Sequence, residues 1–151
     1  MSNQQHVIDT LEELIRICHD GEEGYGEGAE HAKSVELKKV LKEISQERAK
    51  FAADLERLGE RWDKTQVERH RTAGGATQPG WMDLKTSLGG SDDAILSSME
   101  SLDDYARKHY DEAITDSEMP DEVTGVLRNQ AQAIVGSLDR VRAMRRRREA
   151  A

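Results

Sequence analysis

Apolar residues recur every three or four positions along most of this 151-residue chain, and only two prolines interrupt it. This spacing places the apolar side chains on one face of an α-helix. Proline breaks helix interiors, so Pro79 and Pro120 leave long stretches free to form helices. Because aromatic residues make up only 4%, aliphatic side chains must supply most of the core. We therefore predict an all-α fold with a single domain over residues 1–151.

The periodicity predicts four long helices, at about residues 4–31, 34–67, 91–115 and 120–147. The apolar positions predicted to line the core are Val7, Ile8, Leu11, Leu14, Ile15 and Cys18 in the first, Leu37, Val40, Leu41, Ile44, Phe51, Leu55, Leu58 and Trp62 in the second, Ile95, Met99, Leu102, Ala106, Tyr110 and Ala113 in the third, and Val123, Leu127, Ile134, Leu138 and Val141 in the fourth. The first helix contains four glycines within residues 21–28. We expect this helix to continue through them, so that another helix can approach closely. Ser34 is a suitable N-cap for the second helix, and Pro120 suits the first turn of the fourth.

The lengths of the connections predict the topology. Only a few residues around Lys33 join the first two helices, and a few around Ser117 join the last two, so each pair should form an antiparallel hairpin. Residues 68–90 are long enough to cross the bundle lengthwise, and residues 79–88 within them are predicted to form a short helix. Two hairpins joined by one long crossover form a ferritin-like four-helix bundle.

The net charge of −8 disfavours binding to nucleic acid or to an anionic membrane, since both need a basic surface. The basic run Arg145–Arg148 is interpreted as a solvated helix end, and the alternative is contact with an acidic surface of another subunit or with polyanions. Cys18 is the only cysteine, so no intramolecular disulfide is expected. No apolar run approaches the roughly 20 residues that cross a bilayer. We expect a soluble cytoplasmic protein with no membrane partner.

Four segments occur in the order DGEEGY at 20–25, SQERAKF at 45–51, GWMDLK at 80–85 and DRVRAMR at 139–145. Together they resemble a bacterial family of uncharacterised ferritin-like four-helix-bundle proteins, a domain of unknown function. The resemblance covers nearly the whole chain. It implies the ferritin-like fold and a bacterial source, and it implies no established reaction.

A di-iron site in a ferritin-like bundle needs a Glu-x-x-His arm on each of two helices. No acidic residue stands three positions before any of the histidines, which are His6, His19, His31, His70 and His109. Lys50 stands where the imidazole should follow Glu47, and we expect its ammonium to favour the ionised form of Glu47. We therefore expect no bound metal and no other cofactor.

A partial set remains, in which Glu22 or Glu23, Glu47, and Glu100 or Asp103 could face inward, with His109 beside the apolar stripe of the third helix. The favoured interpretation is a buried or half-buried polar layer in which Glu47 or Glu22 pairs with Arg48 or Lys50, because buried charges are usually paired. The alternative is a degenerate carboxylate site, built from this set, in a ferritin-like metal-binding protein or oxidoreductase. A further possibility is that all these carboxylates are solvated.

The sequence contains no complete catalytic constellation. Cys18 lies on an apolar stripe without a visible His/Asp partner pattern, so we assign it to the core. The leading hypothesis is a non-enzymatic helical bundle that acts through protein association, as a homo-oligomer or with an unidentified protein partner. The degenerate metal site is the main alternative, and an adaptor that uses the basic C-terminal helix end is a third.

Overall fold

A computed structural model describes residues 3–73 and 91–150 of the chain, except for the side chains of 63–73. These residues form four α-helices and no strand, which confirms the all-α prediction. The helices are α1 (Asn3–His31), α2 (Val35–Ala73), α3 (Asp92–Ile114) and α4 (Asp121–Ala150). The predicted short helix at 79–88 lies outside the described residues.

The order of contacts along the helices defines their directions. α1 and α2 are joined by residues 32–34 and run antiparallel. Tyr25 contacts Asp103, whereas His6 contacts Asp116, so α1 also runs antiparallel to α3. Because α1 opposes both, α2 and α3 run parallel. The most extensive contacts are those within the pairs α1–α2 and α3–α4.

Side-chain capping explains where α2 begins. The hydroxyl of Ser34 accepts the N–H of Leu37 at 3.2 Å, which satisfies one of the free donors of the first turn. The carboxylate of Asp92 accepts the backbone N–H groups of Lys33 at 2.7 Å and Ser34 at 3.0 Å. Burial opposes the charge on Asp92, but these hydrogen bonds hold its pKa below the usual value. Asp92 thereby ties the start of α3 to the turn between α1 and α2.

The core consists of two apolar clusters that follow each other along the bundle axis. The apolar positions predicted to line the core of the four long helices are all buried or partly buried. One cluster includes Leu11, Leu55, Tyr110 and Leu127, and the other includes Tyr25, Leu41, Met99 and Val141. Buried polar side chains lie between them.

The glycine-rich part of α1 is helical throughout and lets its neighbours approach closely. A Cβ atom on Gly28 would lie 3.2 Å from Cγ2 of Ile95 and 3.3 Å from Cδ1 of Leu41. Gly28 therefore lies where α2 and α3 both press against α1. A Cβ atom on Gly136, by contrast, would meet nothing within 4 Å.

This difference predicts opposite effects for two glycine-to-alanine substitutions. Gly136→Ala should raise the free energy of unfolding by roughly 0.5–1 kcal/mol, because alanine is the better helix former. Gly28→Ala should lower it by about 1 kcal/mol or more, because overpacking a close-packed core costs about 1–3 kcal/mol. Urea denaturation followed by circular dichroism measures both. Equal stabilisation by the two substitutions would contradict the close packing at Gly28.

Candidate functional site

A buried ion pair lies between the two apolar clusters. Nη1 of Arg48 donates to Oδ1 of Asp103 at 2.7 Å, and the two side chains are 2% and 0% exposed. Nη2 of Arg48 donates to the hydroxyl of Ser137 at 2.5 Å. Oδ2 of Asp103 accepts the hydroxyls of Tyr25 at 2.6 Å and Ser137 at 2.8 Å. The carboxylate thus has three donors, which offsets much of the cost of burying its charge.

We call Tyr25, Arg48, Asp103 and Ser137 the polar layer. The surroundings of these residues favour the charged forms of Arg48 and Asp103. Burial alone would lower the pKa of Arg48, but the charge of Asp103 outweighs it and the pKa is raised. Burial also raises the pKa of Tyr25 well above its usual value, so the phenol stays a donor. The guanidinium carbon of Arg48 lies 5.3 Å from the centroid of the Tyr25 ring, within cation–π range.

Gly21 provides the space that Arg48 occupies. A Cβ atom on Gly21 would lie 3.3 Å from both Cγ and Nη1 of Arg48. The glycine in α1 therefore accommodates the long side chain that enters from α2. Nε of Arg48 is buried and has no hydrogen-bond partner among the described residues. An unpaired buried N–H costs about 1–3 kcal/mol, so the layer satisfies Arg48 incompletely.

A second chain of buried hydrogen bonds passes through the neighbouring cluster. The hydroxyl of Tyr110 donates to Oε1 of Gln130 at 2.7 Å, and Sγ of Cys18 lies 3.1 Å from that hydroxyl. Because the phenol proton goes to Gln130, the thiol acts as the donor to Tyr110. Burial raises the pKa of Cys18 to about 11. The sulfur therefore stays protonated at neutral pH and is a poor nucleophile, as a core residue would be.

The six residues of the predicted carboxylate–histidine set do not converge. Asp103 binds Arg48, whereas Glu100 binds Arg142 and Arg145 at 3.0 Å and 2.6 Å. The pKa of Glu100 is lowered, chiefly by its hydrogen bond from Arg142. The sequence predicted that Glu47 or Glu22 pairs with Arg48 or Lys50, but Arg48 pairs with Asp103 instead. The true partner lies on α3, and no spacing within one helix indicates it.

The other members of the set also lie apart. Glu22 faces His19, with Oε1 3.4 Å from Nδ1, and Glu23 is exposed. Nδ1 of His109 lies 2.8 Å from Oε1 of Glu13 on α1. Among the described residues, two groups of three metal-ligating side chains have ligand atoms within 4.8 Å of one another, and none of the six belongs to either group.

Glu47 is half-buried, and burial raises its pKa. The positive charges of Arg48, Arg140 and Lys50 act in the opposite direction and do not outweigh it. Lys50 therefore favours the ionised form of Glu47, as expected, but burial has the larger effect on the pKa. Lys50 is exposed, so water weakens its influence.

Glu47 lines a cleft between α2 and α4 that sequence analysis did not predict. The cleft has a volume of about 540 Å³. Its apolar lining consists mainly of Phe51, Leu58 and Val126, and its charged lining is Glu47, Asp54, Arg57, Arg61 and Glu122. Phe51 and Val126 are only partly buried, although the spacing in the sequence assigned Phe51 to the core. The cleft arises because α2 and α4 make few contacts, which a single-helix pattern cannot reveal.

The basic run at the end of α4 pairs with acids on other helices. Arg148 donates to Asp93 at 2.7 Å and Arg145 binds Glu100, both on α3. Arg147 lies 3.6 Å from Glu36 on α2. The run is therefore partly neutralised within the chain, and only Arg146 among its four members has no ion pair described.

Comparison with known proteins identifies one family. The family model described as "Domain of unknown function (DUF2383)" matches residues 6–116. A search among curated proteins gives no significant match. None of the described helices combines the length and the apolar character needed to cross a membrane. The cytoplasmic location stays a prediction.

Proposed function

We propose that this chain, which belongs to the DUF2383 family, is a ferritin-like bundle that acts through protein association and pairs with a second copy of itself. The ferritin-like assignment rests on the parallel direction of α2 and α3. Two antiparallel hairpins whose inner helices run parallel need a connection as long as the bundle, and residues 74–90 provide enough chain for one.

The polar layer favours the proposal that the residues at the centre of the bundle stabilise the fold, and argues against the proposal that they bind a metal. The guanidinium of Arg48 occupies the level between the two apolar clusters and neutralises Asp103. A cation placed there would face an existing positive charge, and like charges repel strongly in a poorly solvated interior. Glu100 is likewise already neutralised, by Arg142 and Arg145. A non-enzymatic role is therefore the better-supported proposal.

The main evidence for self-association is the charge pattern of the α2–α4 cleft. Along α2 the cleft is acidic first, at Glu47 and Asp54, and then basic, at Arg57 and Arg61. Two copies related by a two-fold axis near Asp54, with antiparallel α2 helices, would bring Glu47 of each against Arg61 of the other, while Asp54 and Arg57 pair within each chain at 3.6 Å. The partly buried Phe51 would add apolar contact area beside the axis of such an interface.

Charge reversal tests this association. Glu47→Lys and Arg61→Glu should each weaken self-association, because each places like charges across the interface; we expect a loss of about tenfold or more. The double variant should restore most of the affinity, since the reversed charges again meet opposite partners. Sedimentation velocity over a range of protein concentrations measures the dissociation constant of the dimer.

Two comparisons make this test specific. Arg61 also pairs with Glu122 of its own chain, and the double variant loses that pair as well, so recovery can only come from contact between copies. Lys42→Glu is the matched control, because Lys42 is exposed on α2 and does not line the cleft. A protein that stays monomeric at all concentrations, or a double variant no better than the single ones, would overturn the proposal.

A further inference from the structure

A histidine and two carboxylates meet at the end of the bundle where α1 begins. Nε2 of His6 lies 2.6 Å from Oδ2 of Asp116 and 3.6 Å from Oε2 of Glu118. Asp116 and Glu118 lie in the connection between α3 and α4, so the group joins segments 110 residues apart in sequence. His6 and Asp116 are partly buried, with 35% and 26% of their side chains exposed.

The connection between α3 and α4 holds the carboxylate of Asp116 in place. Oδ1 of Asp116 accepts the backbone N–H of Glu118 at 2.9 Å, which leaves Oδ2 directed at His6. The backbone carbonyl of Asp116 accepts the N–H of Met119 at 3.1 Å, and the Met119 side chain is buried in the core. The carboxylate of Asp116 is therefore positioned by the backbone and anchored by apolar packing, as outer contacts position metal ligands.

We propose that His6, Asp116 and Glu118 form a binding site for a divalent cation of the zinc class. One imidazole nitrogen and two carboxylate oxygens are ligands that zinc accepts, at about 2.0–2.2 Å. Ligands at such distances around a tetrahedral ion stand roughly 3.3 Å apart, which is between the two separations of 2.6 Å and 3.6 Å measured from Nε2 of His6. Three protein ligands leave the fourth position to water.

The ligand atoms already lie close to one another. Nε2 of His6 is 2.6 Å from Oδ2 of Asp116, so a small outward movement of these two atoms would place both within bonding distance of one cation. The site is also independent of the polar layer and of the association proposed above. A bound cation would join the start of α1 to the α3–α4 connection. This is the opposite end of the bundle from the hydrogen bonds that Asp92 accepts from Lys33 and Ser34.

The second group of metal-ligating side chains in the described residues provides a matched comparison. It consists of Glu27, Glu30 and His31, which are neighbours at the end of α1. Glu30 and His31 are exposed, and Nδ1 of His31 already donates to the backbone carbonyl of Glu27 at 2.9 Å. A single helix end supplies all three residues, and no second element orients them, so we propose no site there.

The experiment is a calorimetric titration of the full chain, without a polyhistidine tag and freed of metal by chelation, with zinc chloride. We expect one zinc ion per chain. His6→Ala should weaken binding by about 10–100-fold or more, since even the loss of an outer contact to a ligand has an effect of that size. Glu118→Gln should weaken it as well, and because Glu118 is exposed this variant should fold normally.

Two controls separate this site from other histidines. His31→Ala should leave zinc binding unchanged, and so should His109→Ala, which removes the histidine of the predicted carboxylate set. Retained binding in both His6→Ala and Glu118→Gln would overturn the proposal, as would the absence of stoichiometric binding to the unmodified chain. Loss of binding in His109→Ala alone would overturn it in favour of the predicted set.

Discussion

Asp103→Ala is expected to lower the free energy of unfolding by about 3–5 kcal/mol, because it leaves the buried guanidinium of Arg48 without its counter-ion. Arg48 cannot reach water, since its side chain is only 2% exposed. Its pKa is raised in the folded protein, so it does not lose its charge at neutral pH. The hydroxyls of Tyr25 and Ser137 would also lose their shared acceptor.

Urea denaturation followed by circular dichroism measures this loss, and Asp104→Ala is its matched control. Asp104 neighbours Asp103 but is partly exposed and pairs with Arg142 at 3.4 Å on the surface, where a pair contributes about 1 kcal/mol or less. The double variant Arg48→Met/Asp103→Leu should recover much of the stability, because well-packed apolar residues often replace a buried pair without loss. A cost below about 1 kcal/mol for Asp103→Ala would contradict the buried pair.

Leu41→Ala and Leu102→Ala are each expected to cost about 2–5 kcal/mol of unfolding free energy. The two leucines are 0% and 2% exposed and belong to the same apolar cluster. Leu41 lies at the close contact with Gly28, where there is little freedom to collapse into the cavity that alanine would leave. The cost therefore includes both the lost apolar burial and the cavity.

The same denaturation measurement tests both leucines. Val135→Ala is the control, because Val135 is 40% exposed and its truncation should change stability by about 0.5 kcal/mol or less. Losses at Leu41 and Leu102 no larger than that at Val135 would mean that the assigned faces of α2 and α3 are wrong.

The sequence predicted the helical faces well because burial along a helix is a local property. Residues spaced three or four positions apart lie on the same face of a helix, whatever that helix packs against. For that reason Leu11, Leu41, Met99 and Leu127 are buried as their spacing predicted. The same reasoning indicated that Gly21–Gly28 would remain helical and permit close approach.

The polar layer was predicted only in part. Arg48 interrupts the apolar stripe of α2 between Ile44 and Phe51, which indicated an inward polar residue. The choice of Glu47 as its partner failed because neighbouring positions on a helix point in different directions. Asp103 stands four positions after Met99 and three before Ala106, so its inward direction was visible in the sequence, whereas its contact with Arg48 was not.

Residue type and local spacing were enough to predict four amphipathic helices, the short turns that make hairpins of α1–α2 and α3–α4, and the absence of Glu-x-x-His arms. These features depend on interactions within one or two helical turns. The contact of Arg48 with Asp103, the contact of His6 with Asp116, and the cleft between α2 and α4 became visible only in the folded chain. Each of these contacts depends on how whole helices are rotated and spaced against one another, and close packing sets that arrangement for all helices at once.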